Sequence, residues 1–377
     1  MKKAKKILFT SHTANFAKFN RQLIDDLRAQ GYEVHYASAG EEEISGVDKS
    51  WKVDFARSPF QLFKHLSAYR ELKKILKMED YDLIHTHTPV GGVVTRLAAK
   101  KARQQKSMPV IYTAHGFHFY QDAPLLNWLL YYPIEKMLAK ITDAIVTINH
   151  EDEALAQKKF KTGRVERIDG VGIDLAKFHP VPEATKQKLR QKHHLAKDDF
   201  VLIYVAELNK NKDQAFLLKS LAGMWDEIPQ LKLLLVGSGS MEQTLKNLAK
   251  KLGWGQHVQF PGYRKDVVEL YQAADVVVSA SQREGFGLNV LEGMACGLPA
   301  VVRDNRGHRE LVQAGRNGMR FKTGAELNAA ILALYHHPEQ RAIIAQTNTT
   351  GLEKFTWEAA REKYRKLYQD LLGPASK

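Results

Sequence analysis

Along the chain, short runs of β-branched and other apolar residues alternate with longer stretches in which apolar positions recur every three to four residues. The runs at 7–10, 34–37, 83–86, 110–113 and 144–147 are bounded by turn or capping residues and predict five strands. Between the first two, residues 20–30 place Leu23, Ile24 and Leu27 on one helical face and stop at Gly31, a residue that readily takes the left-handed conformation closing a helix. After Phe178-His179-Pro180-Val181-Pro182 the pattern restarts, with strands predicted at 201–205, 231–236, 258–260, 276–279 and 300–303. The two prolines and the polar segment 183–199 read as a linker and the entry into a second domain. This alternation of strands with amphipathic helices implies parallel sheets covered by helices on both faces, so the chain predicts two α/β domains. Such sheets bind ligands beyond the carboxyl ends of their strands, and two facing domains of this kind would place a substrate cleft between them. Near the end, Ala360, Tyr364, Leu367 and Leu371 mark a final amphipathic helix.

Composition narrows the class. With 44% hydrophobic and 26% charged residues the chain is an ordinary globular protein, neither disordered nor a coiled coil. The longest nearly unbroken apolar run, 125–134, contains Asn127 and Pro133 and is far short of the roughly 20 residues a spanning helix needs. The basic start passes straight into a short strand, so no secretory signal is expected, and the single Cys296 makes neither an intrachain disulfide nor a Cys-rich metal site. A small buried residue at a helix end explains Cys296, and a reducing cytoplasm fits best.

The net charge of +14 is spread over both halves, with local excesses at 57–77 and 96–106. Such patches attract nucleic acid, anionic headgroups or phosphorylated substrates, or are simply solvated helix faces. Because no RNA-binding signature appears, no nucleic-acid partner is expected. In the first patch Phe60, Leu62, Phe63, Leu66 and Tyr69 lie among Arg57, Lys64, Arg70, Lys73, Lys74 and Lys77. That is either an interfacial helix for an anionic membrane surface or a helix whose apolar face packs on its own domain.

The chemistry concentrates at 284–292, EGFGLNVLE, directly after the strand at 276–279. Gly285 and Gly287 let a ligand approach the backbone, and the helix starting there offers free N–H groups and a positive dipole end, which is an anion site. Glu284 in the loop and Glu292 about one turn inside the helix would repel a bare phosphate. They make sense as acceptors for sugar hydroxyls at the two ends of a sugar nucleotide whose pyrophosphate sits on the N–H groups. The same spacing also describes a solvated helix start with a capping acid. No His/Asp/Glu cluster with metal-ligand spacing is read from the sequence, so neither a metal nor another cofactor is expected.

Taken together, Glu284-x7-Glu292, LLLVGSGS at 233–240, VQFPGYRKDVVELYQAADVVV before the acidic element, MACGLPAVV after it, and DLIHTHTP, TAHGFHFY and DGVGIDLAKFHP in the first half make the chain resemble the retaining GT-B glycosyltransferases of family 4. The resemblance covers nearly the whole chain, and TAHGFHFY and AELNKNK look like the bacterial enzymes of exopolysaccharide or capsule synthesis. It implies two Rossmann-like domains facing a central cleft. An acceptor-side domain would span 1–178, joined by a C-terminal helix at 356–377 that crosses back to it, and a nucleotide-sugar domain would span 179–355. It further implies transfer of a hexose or N-acetylhexosamine from a nucleotide-sugar donor, UDP-linked by expectation, to a glycan or polyprenyl-diphosphate-linked acceptor, without a metal.

By position the resemblance puts the donor-sugar carboxylate on Glu284 and the ribose carboxylate on Glu292. Phe286, Gly287, Leu288 and Asn289 would hold the diphosphate, with Gly237 and Arg264 also on the donor side. Lys212 matches the family lysine, but the arginine five residues earlier is Glu207, which leaves Lys210 or Arg303 as substitutes. His115, at the end of the strand 110–113, matches the histidine near the donor sugar. His118 either stacks or packs, and His85 and His87, spaced to alternate across a strand end, are read as structural. The first loop lacks the usual glycines, so His12, Thr13 and Asn15 are expected to meet acceptor or phosphate through their side chains. Two alternatives stay open: a nucleotide-sugar epimerase on the same fold, and a non-catalytic subunit of a glycan-assembly complex.

Overall fold

A computed structural model describes residues 4–40, 43–56, 58, 60–121, 123–170 and 172–373. Its contacts divide the chain into two compact units, one formed by 1–172 together with 357–377 and the other by 173–356, where the sequence places the division at 178/179.

The first unit runs β1 (Lys6–Thr10), α1 (Arg21–Ala29), β2 (Glu33–Ser38), β3 (Lys49–Lys52), α2 (Leu62–Met78), β4 (Leu83–His87), α3 (Pro89–Lys106), β5 (Val110–Ala114), α4 (Leu125–Ala139), β6 (Ala144–Thr147), α5 (His150–Lys159) and β7 (Arg164–Arg167). Its seven strands are all parallel, in the order β3-β2-β1-β4-β5-β6-β7. The chain builds outward from β1 in one direction and then returns to build outward in the other, so the switch point lies between the carboxyl ends of β1 and β4. Every residue of β4 and β5 is buried.

The second unit runs α6 (Glu183–Lys192), β8 (Phe200–Val205), α7 (Gln214–Ser220), β9 (Leu231–Val236), α8 (Glu242–Lys251), β10 (Val258–Gly262), α9 (Val267–Ala273), β11 (Val276–Ser279), α10 (Leu288–Ala295), β12 (Ala300–Arg303), α11 (Arg306–Leu311), β13 (Gly318–Phe321), α12 (Gly324–His336) and α13 (Pro338–Asn348). Its parallel order is β10-β9-β8-β11-β12-β13, with the switch point between β8 and β11. Leu202, Leu233, Leu235, Trp254 and Val278 fill one core layer, each contributing about 1.5–3 kcal/mol by leaving water.

The predicted strands form, and three more appear, β3, β7 and β13. All three are sheet edges, where an exposed flank tolerates polar residues such as those of KSWK and RVER, so no apolar run marks them. The segment 183–199 is not a linker, because it contains α6. The buried Arg190 of that helix donates to the Ala273 carbonyl at 3.0 Å and the Asp275 carboxylate at 2.6 Å.

The last helix, α14 (Trp357–Leu372), belongs to the first unit. Ala360, Tyr364, Leu367 and Tyr368 are buried in one cluster with Ile7, Phe9, Leu23, Ile24 and Leu27. Arg365 forks onto Asp26 of α1, and the Tyr368 hydroxyl lies 2.6 Å from His85 Nδ1.

Candidate active site

In the second unit the loop after β11 is stitched to the loop after β8. The Tyr204 hydroxyl donates to the Lys212 carbonyl at 2.9 Å and lies 2.7 Å from Ser281 Oγ. Gln282 N–H donates to the Asn211 carbonyl at 2.8 Å, and Asn211 Nδ2 returns a bond to the Arg283 carbonyl at 3.0 Å. This lattice presents Glu284 to Lys212, whose ammonium is hydrogen-bonded to Glu284 Oε1. Burial alone would raise the Glu284 carboxyl, but the charges of Lys212 and His308, with hydrogen bonds from Lys212 and Ser281, outweigh it and hold the group below the ordinary range. Gly307 of α11 is packed against the same loop, since a Cβ there would meet Glu284 Cβ and Phe286 N at 2.8 Å.

Gly287, at φ +99°, caps α10; Val290 N–H donates to its carbonyl at 2.9 Å, and the Leu288 and Asn289 N–H groups precede that first intrahelical bond. Phe286 is buried edge-on against Phe355, and Asn289 Nδ2 donates to the Val205 carbonyl at 2.9 Å. That bond ties the helix start to the end of β8. Leu288 opens the helix, half-buried. One turn in, Glu292 Oε2 lies 3.3 Å from the hydroxyl of the buried Tyr271, which also donates to the Asn289 carbonyl at 2.7 Å. Burial pushes the Glu292 carboxyl up to about 7, against the opposing Tyr271 hydrogen bond and Lys177.

Gly237, at φ +142°, sits where β9 ends against β8, and a Cβ would meet the Ala206 carbonyl oxygen at 2.0 Å, so only glycine fits. Of the cations the sequence left open, Arg303 is paired with Asp213 at 3.0 Å and lies 4.4 Å over the Phe216 ring, whereas Lys210 is exposed with no hydrogen bond or ion pair among the described residues. Glu207 is exposed as well. Arg264 is forked onto Asp266, and no contact links it to Glu284 or Glu292 among the described residues. The fold also gathers His193, Asp266 and Glu269, which no spacing in the sequence announces. Their carboxylates are already neutralised by Arg264 and Lys192.

In the first unit, His85 and His87 do not alternate across the strand end. Two residues apart they share a face of β4, with ring centroids 4.3 Å apart. His85 is fully satisfied by Tyr368 and by Thr113 Oγ1 at 2.7 Å, as a structural histidine should be. His87 Nδ1 lies 3.2 Å from His115 Nε2, which ties it to the candidate residue at the end of β5. Burial lowers all three, His85 to about 3 and His115 to about 4, so the cluster is neutral at pH 7. Phe16 packs edge-on against His115, and His118 stacks on Tyr131 at 4.6 Å.

Of the first loop, His12 N–H donates to Thr88 Oγ1 at 3.3 Å, Thr13 caps a short 3-10 turn without a side-chain cap bond, and Asn15 is exposed. Thr88, between His87 and Pro89, is held at φ +66°, a strained conformation for a β-branched residue beside the switch point. Tyr204, Ser281 and Gly307 lie in none of the quoted motifs, and Tyr271 lies in one of them without an assigned role. Their part in the site enters only through the fold.

Two family descriptions match the chain, "Glycosyl transferase 4-like" over residues 6–149 and "Glycosyl transferases group 1" over residues 185–350. The putative glycosyltransferase EpsD of Bacillus subtilis (strain 168) is 44% identical over 97% of this chain and 96% of its own length. The chain belongs to the GT-B glycosyltransferases. The UDP-Gal:alpha-D-GlcNAc-diphosphoundecaprenol alpha-1,3-galactosyltransferase of Escherichia coli is 30% identical over 67% of this chain and 65% of its own. Among solved structures, sucrose-phosphate synthase from Thermosynechococcus elongatus superposes with a TM-score of 0.81 at 22% identity over 97% of this chain and 99% of its own. HepE of Anabaena in complex with UDP superposes with 0.78 at 22% over 97% and 100%. These two likenesses establish the fold of the glycosyltransferase and nothing finer. No helix among its described residues is long and apolar enough to cross a membrane.

Proposed function

We propose that this glycosyltransferase moves a hexose or N-acetylhexosamine from a UDP-sugar to a glycan or polyprenyl-diphosphate-linked acceptor in surface polysaccharide synthesis, in the cytoplasm, with retention and without a metal. The observation that carries the reading is the Lys212–Glu284 pair at the foot of α10, with Glu292 one turn inside the same helix.

In this reading the diphosphate lies on the N–H groups from Phe286 to Asn289, which together with Lys212 supply the positive charge that a cation provides elsewhere. Glu292 accepts the ribose hydroxyls. Glu284 accepts hydroxyls of the donor sugar and orients it, and in the resting protein its charge keeps Lys212 in place. As the glycosidic bond breaks, Lys212 and the helix N–H groups stabilise charge developing on the leaving diphosphate, whose oxygen takes the acceptor proton on the same face, so no carboxylate nucleophile is required. Neutral His115, held by His87, offers a hydrogen bond rather than a charge. The name of the Escherichia coli enzyme, which gives a UDP-sugar donor and a diphosphoundecaprenol acceptor, supports the substrate classes. Mass spectrometry of products from a panel of UDP-sugars incubated with lipid-linked acceptors tests the reading. A mass increment of one sugar with one donor is expected, and donor consumed without acceptor would identify an epimerase instead.

A further inference from the structure

The first unit carries an apolar groove of about 520 Å³ between α2, α3 and α4. Val93 and Val94 of α3 form its floor, Leu66 and Tyr69 of α2 one wall, and Leu130 and Ile134 of α4 the other. The only carboxylate lining it among the described residues, Glu135, is bonded at 2.8 Å to buried Arg96, whose guanidinium lies 4.0 Å over the Tyr112 ring. The floor therefore bears no net charge and suits a hydrocarbon.

The two ends of the groove differ. On one side Phe60 and Leu62 line it and stand in water, and along α2 and α4 further apolar side chains are exposed, Phe63 at 92% and Leu125 at 74%, with Leu126 and Leu129. The α2 set divides in a way its sequence did not show. Ala68, Leu72 and Ile75 pack on the domain, while the residues before them do not. Exposed apolar residues clustered like this mark a contact surface. At the inner end, Tyr131 stacks on His118, and Pro89 is two residues beyond His87, the partner of His115. One trough thus joins an exposed apolar surface to the carboxyl ends of β4 and β5.

Charge selects the occupant. Helices α2 and α3 each carry five Lys or Arg, against a single Glu in α2, Glu71, which is already engaged by Ser67 and the Asp54 N–H. Lys74, Lys77, Lys100 and Lys101 are exposed. An apolar face flanked by cations complements an anionic bilayer.

We propose that the groove seats the hydrocarbon chain of a polyprenyl phosphate carrier, drawn from an anionic bilayer on which α2 and α4 rest, with the acceptor end of the lipid toward His115. The proposal deepens the acceptor half of the function proposed above and rests on it, but it is independent of the donor half.

Calorimetric titration of the full chain with geranylgeranyl monophosphate and geranyl monophosphate, each below its micelle concentration, tests the assignment. Each buried methylene is worth about fourfold in affinity, so the twenty-carbon chain is expected to bind at least a hundredfold tighter than the ten-carbon one. Val93→Trp, which fills the trough, and Leu66→Asp, which charges its wall, are each expected to weaken the longer ligand at least tenfold while leaving UDP affinity unchanged. Equal affinities for the two chains, or full affinity in both variants, would overturn the proposal, including in favour of a protein docking site. Failure of the unaltered protein to bind UDP would count against the donor reading alone, because the groove is judged on chain-length dependence.

Discussion

Lys212 and Glu284 lie 72 residues apart in sequence and share a hydrogen-bonded ion pair, so the cation proposed to meet the leaving diphosphate is already oriented by the carboxylate proposed to meet the sugar. Glu284→Gln keeps the shape and removes the charge. Transfer is expected to fall at least about a hundredfold. Stability is expected to drop by about 1 kcal/mol, a melting shift of about 2–4 °C, since Lys212 loses its counter-charge but keeps a hydrogen-bond acceptor. Normal turnover in this variant would refute the role of Glu284.

Glu292 predicts a pH dependence. Its carboxyl is raised to about 7 from an ordinary 4.5, and the charged form is the one proposed to accept ribose hydroxyls. UDP affinity measured by calorimetry is therefore expected to rise as pH increases through about 7, and Glu292→Ala to bind UDP more weakly with that dependence gone. For stability the sign is opposite. Between 4.5 and 7 the folded state binds the extra proton, so this group's contribution is fully present below 4.5 and is lost as pH rises through 7. The melting temperature of the parent is expected to fall relative to Glu292→Gln across that window.

Transfer is expected to survive EDTA, because Lys212 and the first-turn N–H groups of α10 carry the diphosphate charge in the proposed mechanism. Complete loss of activity restored by magnesium or manganese would contradict it.

Membrane association is expected to be reversible and electrostatic. Each well-placed basic residue contributes about 1 kcal/mol at an anionic surface, so several together attach the protein without anchoring it permanently. Co-sedimentation with liposomes should require anionic lipid, fall with salt and weaken when Lys73 and Lys74 are changed to Glu. Arg57, part of the same basic set, lies outside the described residues. Protein remaining in the supernatant at low salt would mean that the apolar face of α2 and α4 serves another contact.

The parts of the fold legible in the sequence are those whose signal is local. Interior strands such as β8 and β11 are buried on both faces and read as apolar runs, whereas β3, β7 and β13 are half-exposed edges whose pairing comes from a neighbour rather than from their own residues. Helix α6 was hidden because its anchor is a charged residue, Arg190, that is buried only in company with Asp275. The site divides in the same way. Glu284, Gly287 and Glu292 sit in one nine-residue element and could be read together, but the Tyr271 hydroxyl at Glu292, the Tyr204–Ser281 bond beneath Glu284 and the His87–His115 pair join elements that only the sheet order brings side by side.

The placement of α14 fixes the order in which the protein can mature. Its Tyr368 completes the environment of His85, and its Leu367 lies in the same core as β1 and α1, yet 184 intervening residues of a separate unit are translated before it. On the ribosome the second unit is whole as soon as residue 356 has emerged, while the first, although begun earlier, waits with its core open for α14. The half that starts first therefore finishes last, and a chain that stops between residue 356 and α14 exposes the β1–α1 surface to chaperones and proteases rather than the second unit.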